Sequence, residues 1–293
     1  MLKILFLTIP LGLVFVGCAA NPVTNRQQLM LVSENQVIAS SYNSYSNLIN
    51  QAQSHGALNV DPIQTKRTKE IASRIIPAAI TYRSSIINWQ WDVNVLESNE
   101  INAFCMAGGK IAVYSGLIKN LNPTDDELAQ VLAHEIAHAL SEHVREKISV
   151  AMASNLTVGV VAAKKGMSQN QVDLLNNLTS LAITLPNSRQ AESEADSIGI
   201  LLAAQAGYDP YAAVTLWEKM SNLGSSAGSA IMSTHPLAAD RIAAMRAAAV
   251  KLEPTHQKTS VLRAADRLPK IEYESGKATN LYGKTRYDIP SSK

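Results

Sequence analysis

The sequence predicts a mainly α-helical protein with a small β-sheet, an α+β fold class. Three observations carry that prediction. From Thr124 to about Val250 the apolar residues recur at helical spacing, broken by KKGMS, LPNS and GYDP. Ahead of this region, INWQWDVNVLES alternates, with Ile87, Trp89, Trp91, Val93 and Val95 on one face of a strand. KIAVYSG, entered through Gly108-Gly109, is a second strand. A chain of 293 residues, 46% hydrophobic and 17% charged, is large enough for a sizeable core. Its formal net charge of +2 provides no field that argues for nucleic acid.

Residues 1–18 read as a secretory signal, with an apolar run from Ile4 to Val16 that is short for a bilayer crossing and contains Pro10. The ending FVGC resembles a bacterial lipoprotein box, with Phe15 where Leu is usual. The resemblance implies acylation of Cys18 and, through Ala19, sorting to the outer membrane; plain secretion with cleavage near CAA is the alternative. With Cys18 acylated, Cys105 is the only thiol left, so no intrachain disulfide forms and Cys105 reads as a small buried hydrophobe. One domain is expected over 19–265, followed by a polar, aperiodic tail over 266–293.

NPVTNRQQLMLV is an extended segment. Residues 33–54 then read as a helix with Val37, Tyr42, Tyr45 and Leu48 at helical spacing. Asp61 and Pro62 supply an N-cap and a first-turn proline for a helix that carries Ile71, Ile75 and Ile76 and ends near Tyr82.

VLAHEIAHALSEH holds three of the chain's six histidines. Its helix opens on a capping box of Thr124 and Glu127 and buries a stripe of Leu128, Leu132, Ile136 and Leu140. His134 and His138 share another face, roughly 200° from that stripe. Two imidazoles one turn apart can reach one ion, and zinc suits them. Glu135 projects about 100° from His134, beside the metal rather than on it, where a general base belongs. His143 does not fit the metzincin pattern, because Ser141 and Val144 stand where Gly and His are required; it reads as a surface or second-layer histidine near the helix end. Downstream, SRQAESEADSIGI is a helix on which Glu192 and Asp196 share a face. Glu192 is placed to ligate zinc and Asp196 to accept a hydrogen bond from a ligand imidazole, whereas Glu194 points away.

HExxH followed by a downstream ExxxD resembles the gluzincin metallopeptidases of the CAAX-prenyl-protease and HtpX type (metallopeptidase family 48). It is most similar to their soluble bacterial lipoprotein branch, related to the mitochondrial Oma protease. NPVTNRQQLMLVS, NAFCMAGGKIAVYSGLI, LAHEIAHALSEH, SRQAESEADSIGI and STHPLAADRI follow in the family's order, from Asn21 to about Ala248. The resemblance implies a zincin-type metalloprotease with its active-site helix beside a short sheet. It also implies one zinc ion per chain, held by His134, His138 and Glu192, with Glu135 as base and Asp196 behind a ligand. The strand Lys110–Tyr114, comprising Lys110, Ile111, Ala112, Val113 and Tyr114, is expected to pair with substrate, with Asn102-Ala103 in the turn before it. His235 is expected to approach the open zinc position as a gate, and Arg241 either to stabilise an oxyanion or to pair with Asp196. The expected activity is endopeptidase cleavage of misfolded envelope proteins in the periplasm, by an enzyme lipid-anchored to the outer membrane beside its assembly machinery. A zinc-bound, chaperone-like binding protein is the alternative, and Glu135 argues against it.

Overall fold

The computed structural model describes residues 18–154, 169–222, 230–236, 239–264, 272–274 and 277–279. The expected signal up to Gly17 and the VGVVAA segment lie outside the described residues. Strands β1 (Cys18–Ala20) and β2 (Gln27–Leu29) pair antiparallel. Helices α1 (Glu34–Ser54) and α2 (Pro62–Tyr82) follow, α2 starting where its Asp61 cap predicts. Ser33 forms a capping box with Gln36, and the Asp61 carboxylate accepts from the Ile63 and Gln64 amides.

The central sheet has three strands, β3 (Asp92–Leu96), β4 (Ala103–Met106) and β5 (Lys110–Tyr114), in the order β3-β5-β4. β5 runs parallel to β3 and antiparallel to β4. Three expectations are corrected here. The alternating run is a strand only from Asp92; Ser84–Asn88 turns as a 3-10 helix that lies against α2. Lys110–Tyr114 is the middle strand, with its backbone groups bonded on both sides, so it has no edge left for a substrate. Ala103 is not in the turn before that strand but begins β4, the edge strand that packs against the histidine helix.

Both faces of this sheet are covered. Val93, Val95, Cys105, Ile111 and Val113 enter the main core with α2, while Leu96, Phe104, Met106 and Ala112 pack under Tyr45 of α1. The Tyr45 hydroxyl donates to the Ile111 carbonyl, and Asn94 is buried by bonding to Tyr45, Asp92 and Asn59.

Helix α3 (Ser115–Leu121) leads into α4 (Asp125–Leu140), which carries the histidines. Its capping box of Thr124 and Glu127 is present, and Leu128, Leu132, Ile136 and Leu140 are fully buried. Each such side chain contributes about 1.5–3 kcal/mol by burial. Every residue of α4 from Glu127 onward is buried, so the histidine face is a second interior face rather than an outer one. The helix stops at Leu140, Glu142 adopts a left-handed φ of 55°, and His143 starts a new helix, α5 (His143–Ser154).

Helices α6 (Gln169–Ala182), α7 (Arg189–Gln205), α8 (Ala212–Asn222), α9 (Ala230–Thr234) and α10 (Ala239–Ala264) complete the helical part. α7 crosses α4 at close quarters. A Cβ on Gly199 would lie 2.9 Å from the His134 amide nitrogen, so only glycine allows this approach. Among the described residues no helix is long and apolar enough to cross a membrane. Within the polar tail, β6 (Glu272–Glu274) and β7 (Lys277–Thr279) pair antiparallel; the remainder lies outside the described residues.

Candidate metal centre

The crossing of α4 and α7 brings His134, His138 and Glu192 together, as their spacing predicts. His235, just after α9, completes a buried group of four whose ligating atoms all lie within 4.8 Å of one another. His134 Nε2 is 3.1 Å from His138 Nε2 and 3.2 Å from His235 Nδ1. Glu192 Oε1 is 3.2 Å from His138 Nε2 and 3.0 Å from His235 Nδ1. Four ligands bound to zinc tetrahedrally would sit about 3.3 Å apart, so these edges match such a site in length.

The donor set fits a divalent cation in kind as well as in size. Three buried carboxylates, Glu135, Glu192 and Asp196, gather here, and one guanidinium, Arg241, is in direct contact with two of them, Glu192 and Asp196. Glu135 Oε1 and Glu192 Oε2 are buried with no hydrogen-bond donor aimed at them, although His235 Nε2 and Arg241 Nη2 stand 3.4 and 2.9 Å away. Burial pushes the Glu135 carboxyl above its usual range, partly offset by His235 and His134. Burial likewise drives the His138 imidazole well below its ordinary value, toward the neutral form a metal ligand needs.

Behind His134, Asp196 Oδ1 lies 3.1 Å from Nδ1, where it is placed to accept a hydrogen bond from Nδ1–H, which leaves Nε2 free for the cluster. Of the two roles the sequence leaves open for it, Arg241 shows the contact with Asp196. It donates to both Asp196 oxygens, at 2.7 and 2.8 Å, and to the Pro236 carbonyl, and it stacks 4.4 Å over Trp217. All three of its nitrogens are engaged, two of them by Asp196. Cys105 is buried and its thiol is pushed well up by desolvation, which makes it a core residue. Cys18 is exposed, at the start of β1.

Residues 62–249 match the model of peptidase family M48. The chain belongs to peptidase family M48. Members of this family are zinc peptidases, and the four clustered side chains are able to hold one such ion. The chain is 38% identical to the mitochondrial metalloendopeptidase OMA1 of Arabidopsis thaliana over 174 residues, 59% of this chain and 33% of that protein. It is 33% identical to the metalloprotease LoiP of Escherichia coli over 177 residues, 59% of this chain and 68% of the relative. The β-barrel assembly-enhancing protease of the same organism is 26% identical over 218 residues, 70% of this chain and 43% of that protein. The match thus spans one third of the plant relative's length and two thirds of LoiP.

Sequence reasoning missed the group behind His138. His143 is 2% exposed, not a surface residue, and its Nδ1 lies 2.8 Å from His138 Nδ1. Glu194 does point away from the cluster, but it accepts from His143 Nε2 at 2.9 Å and from Arg26 Nε at 2.7 Å. The signal available was weak: NPVTNRQ was singled out as a block, yet nothing local says what an extended segment docks onto.

Proposed function

We propose that this protein is a zinc-dependent endopeptidase that cuts unfolded polypeptide in the bacterial envelope. The observation that carries the reading is the buried group of His134, His138, Glu192 and His235, with ligating atoms within 4.8 Å of one another and the Glu135 carboxylate beside it. A purely structural zinc site has no use for a base there, which separates this reading from the chaperone-like alternative.

His134, His138 and Glu192 would hold the ion. Bound zinc acidifies a water and polarises the scissile carbonyl. Glu135 would take a proton from such a water and return it to the leaving nitrogen; its carboxylate is buried beside His235, 3.4 Å from Nε2. Asp196 keeps the His134 proton on Nδ1. His235 would supply a fourth ligand and would have to withdraw before water or substrate could take that place, so it would serve as a gate. Its neighbour Pro236 is held by Arg241 and its Nδ1 is within 3.2 Å of the Asn187 amide, both being contacts that opening would alter. The free edge of β4 lies beside α4. Main-chain pairing along Ala103–Met106 would read substrate backbone and favour extended segments with little sequence selectivity.

A signal over 1–18, acylation of Cys18 and attachment of the 19–265 domain to the outer membrane place the enzyme among misfolded envelope proteins. The relative named for β-barrel assembly makes the outer-membrane assembly machinery a coherent neighbour. The test is digestion of casein by residues 20–293 with and without chelator, beside Glu135→Gln. Cleavage is expected to stop with chelator, to return with zinc, and to be lost in Glu135→Gln with zinc still bound. A Glu135→Gln protein that still cuts at the normal rate refutes the proposal. His235→Ala is expected to cut faster, and an unchanged rate and zinc affinity would remove the gate.

A further inference from the structure

His138 is backed by a line of contacts that leads out of the metal cluster to the segment next to Cys18. Asn21 to Gln28 is folded as a tight loop. The Asn21 amide donates to the Arg26 carbonyl, its side-chain oxygen accepts from the Val23 and Thr24 amides, and Asn25 adopts φ 58°. The loop docks where α4 ends. Asn21 Nδ2 and Gln28 Nε2 both donate to the Ser141 carbonyl, which the helix itself leaves unpaired. From this loop Arg26 reaches inward as a two-sided fork. One side holds Glu194, with Nε 2.7 Å from Oε1, and the other holds Glu146 at 2.6 and 2.7 Å.

Glu194 is the hub. Oε1 accepts from Arg26 Nε and Thr24 Oγ1; Oε2 accepts from His143 Nε2 at 2.9 Å and from Arg26 Nη2 at 3.2 Å. His143 in turn places Nδ1 2.8 Å from His138 Nδ1. A hydrogen bond between two ring nitrogens needs one proton, so its direction is set by the outer ends. His138 must keep the Nε2 lone pair for the cluster, so its Nδ1 carries the proton and donates to His143 Nδ1. His143 then carries its own proton on Nε2 and donates to the Glu194 carboxylate, which only accepts. Every link has one consistent polarity, from carboxylate through two imidazoles to the ligating nitrogen. An anion at the far end of that line makes the ligand nitrogen a stronger donor and fixes its ring.

We propose that Arg26, Glu194 and His143 form a positioning relay that orients His138 and tightens its hold on the metal ion. The loop Asn21–Gln28 is its outer anchor. The proposal rests on the zinc-site reading above and adds that the stretch next to the expected lipid anchor helps to retain the metal. The left-handed turn at Glu142 is what swings His143 behind His138. A continuous helix would have carried it past.

The test uses the full chain loaded with zinc, releasing the ion to a chromophoric chelator. Glu194→Gln and His143→Gln are expected to speed release about ten- to a hundredfold. The same variants loaded with cobalt should shift the visible absorption bands, which a loss of general stability would not do. Glu146→Ala removes the other carboxylate of Arg26 but leaves the Arg26–Glu194 and Glu194–His143 contacts in place, and its release rate should stay within about twofold of wild type. Unfolding in excess chelator checks that each variant folds; should His143→Gln fail, Glu194→Gln and Arg26→Gln carry the test. Release rates within about twofold of wild type in those variants overturn the relay, and so does a Glu146→Ala effect equal to that of Glu194→Gln. Wild-type protein that takes up no zinc instead refutes the site itself, a separate outcome read before any variant.

Discussion

His134 and His138 leave one helix one turn apart and face one cluster, yet they are backed from opposite ends of the chain. Behind His134 stand Asp196 and then Arg241, which comes from α10. Behind His138 stand His143, Glu194 and Arg26, the last from the loop after β1. Each line ends in an arginine clamped on a carboxylate. They differ in length and in wetness. The His134 line is short and dry, with Arg241 6% exposed and stacked on Trp217. The His138 line has one more imidazole and an arginine 16% exposed, shared with Glu146. The lesson is that one helix supplies the spacing of two ligands, while their orientation is imposed separately, with different energetic stakes.

That contrast can be broken first at the ligands themselves. His134→Ala and His138→Ala should each weaken zinc binding on the order of a thousandfold, and by similar amounts, since each supplies one corner. Chelator competition measures this, and a strong inequality would mean the two corners are not equivalent. Next, Arg241→Ala leaves Asp196 and Glu192 as buried charges without their cation. It should lower the unfolding free energy by about 3–5 kcal/mol, measured by urea unfolding in excess chelator. Asp196→Asn keeps the shape but weakens the acceptor behind His134, and zinc affinity should drop about ten- to a hundredfold. Gly199→Ala forces a methyl against the His134 backbone and should cost about 1–3 kcal/mol while loosening zinc, because it parts the helices that carry the ligands. Arg26→Ala should be mildest for stability, about 1–2 kcal/mol, since its carboxylates keep partial access to water. If Arg26→Ala destabilises the fold more than Arg241→Ala, the dry and wet ranking of the two lines is wrong.

Sequence alone already resolves much of this site, for a local reason. The i, i+4 spacing of His134 with His138, and of Glu192 with Asp196, is a property of one helix turn, so each pair is legible without knowing what faces it. The caps at Ser33, Asp61 and Thr124 are legible in the same way, because a side chain meets an amide two or three residues on. The stripe of Leu128, Leu132, Ile136 and Leu140 found its core. The strand pairing was not legible: that Lys110–Tyr114 lies between two partners depends on Asp92–Leu96 and Ala103–Met106, and strand order is a long-range choice. Of the two readings of His143, surface or second layer, the structure bears out the second; what the helical period could not show is Glu142, where a left-handed residue redirects the chain.

By itself, then, the sequence determined which side chains could bind a metal and which could act as base, since those follow from residue type and helical period. Only the tertiary structure decided the rest. It brought α7 onto α4 at Gly199, set His235 beside His134 and Glu192, joined Arg241 to Asp196, and folded the loop at Arg26 behind Glu194 and His143. These are contacts between residues far apart in the chain, and no periodicity records them. They are set by which buried charges and donors need partners once the core has closed.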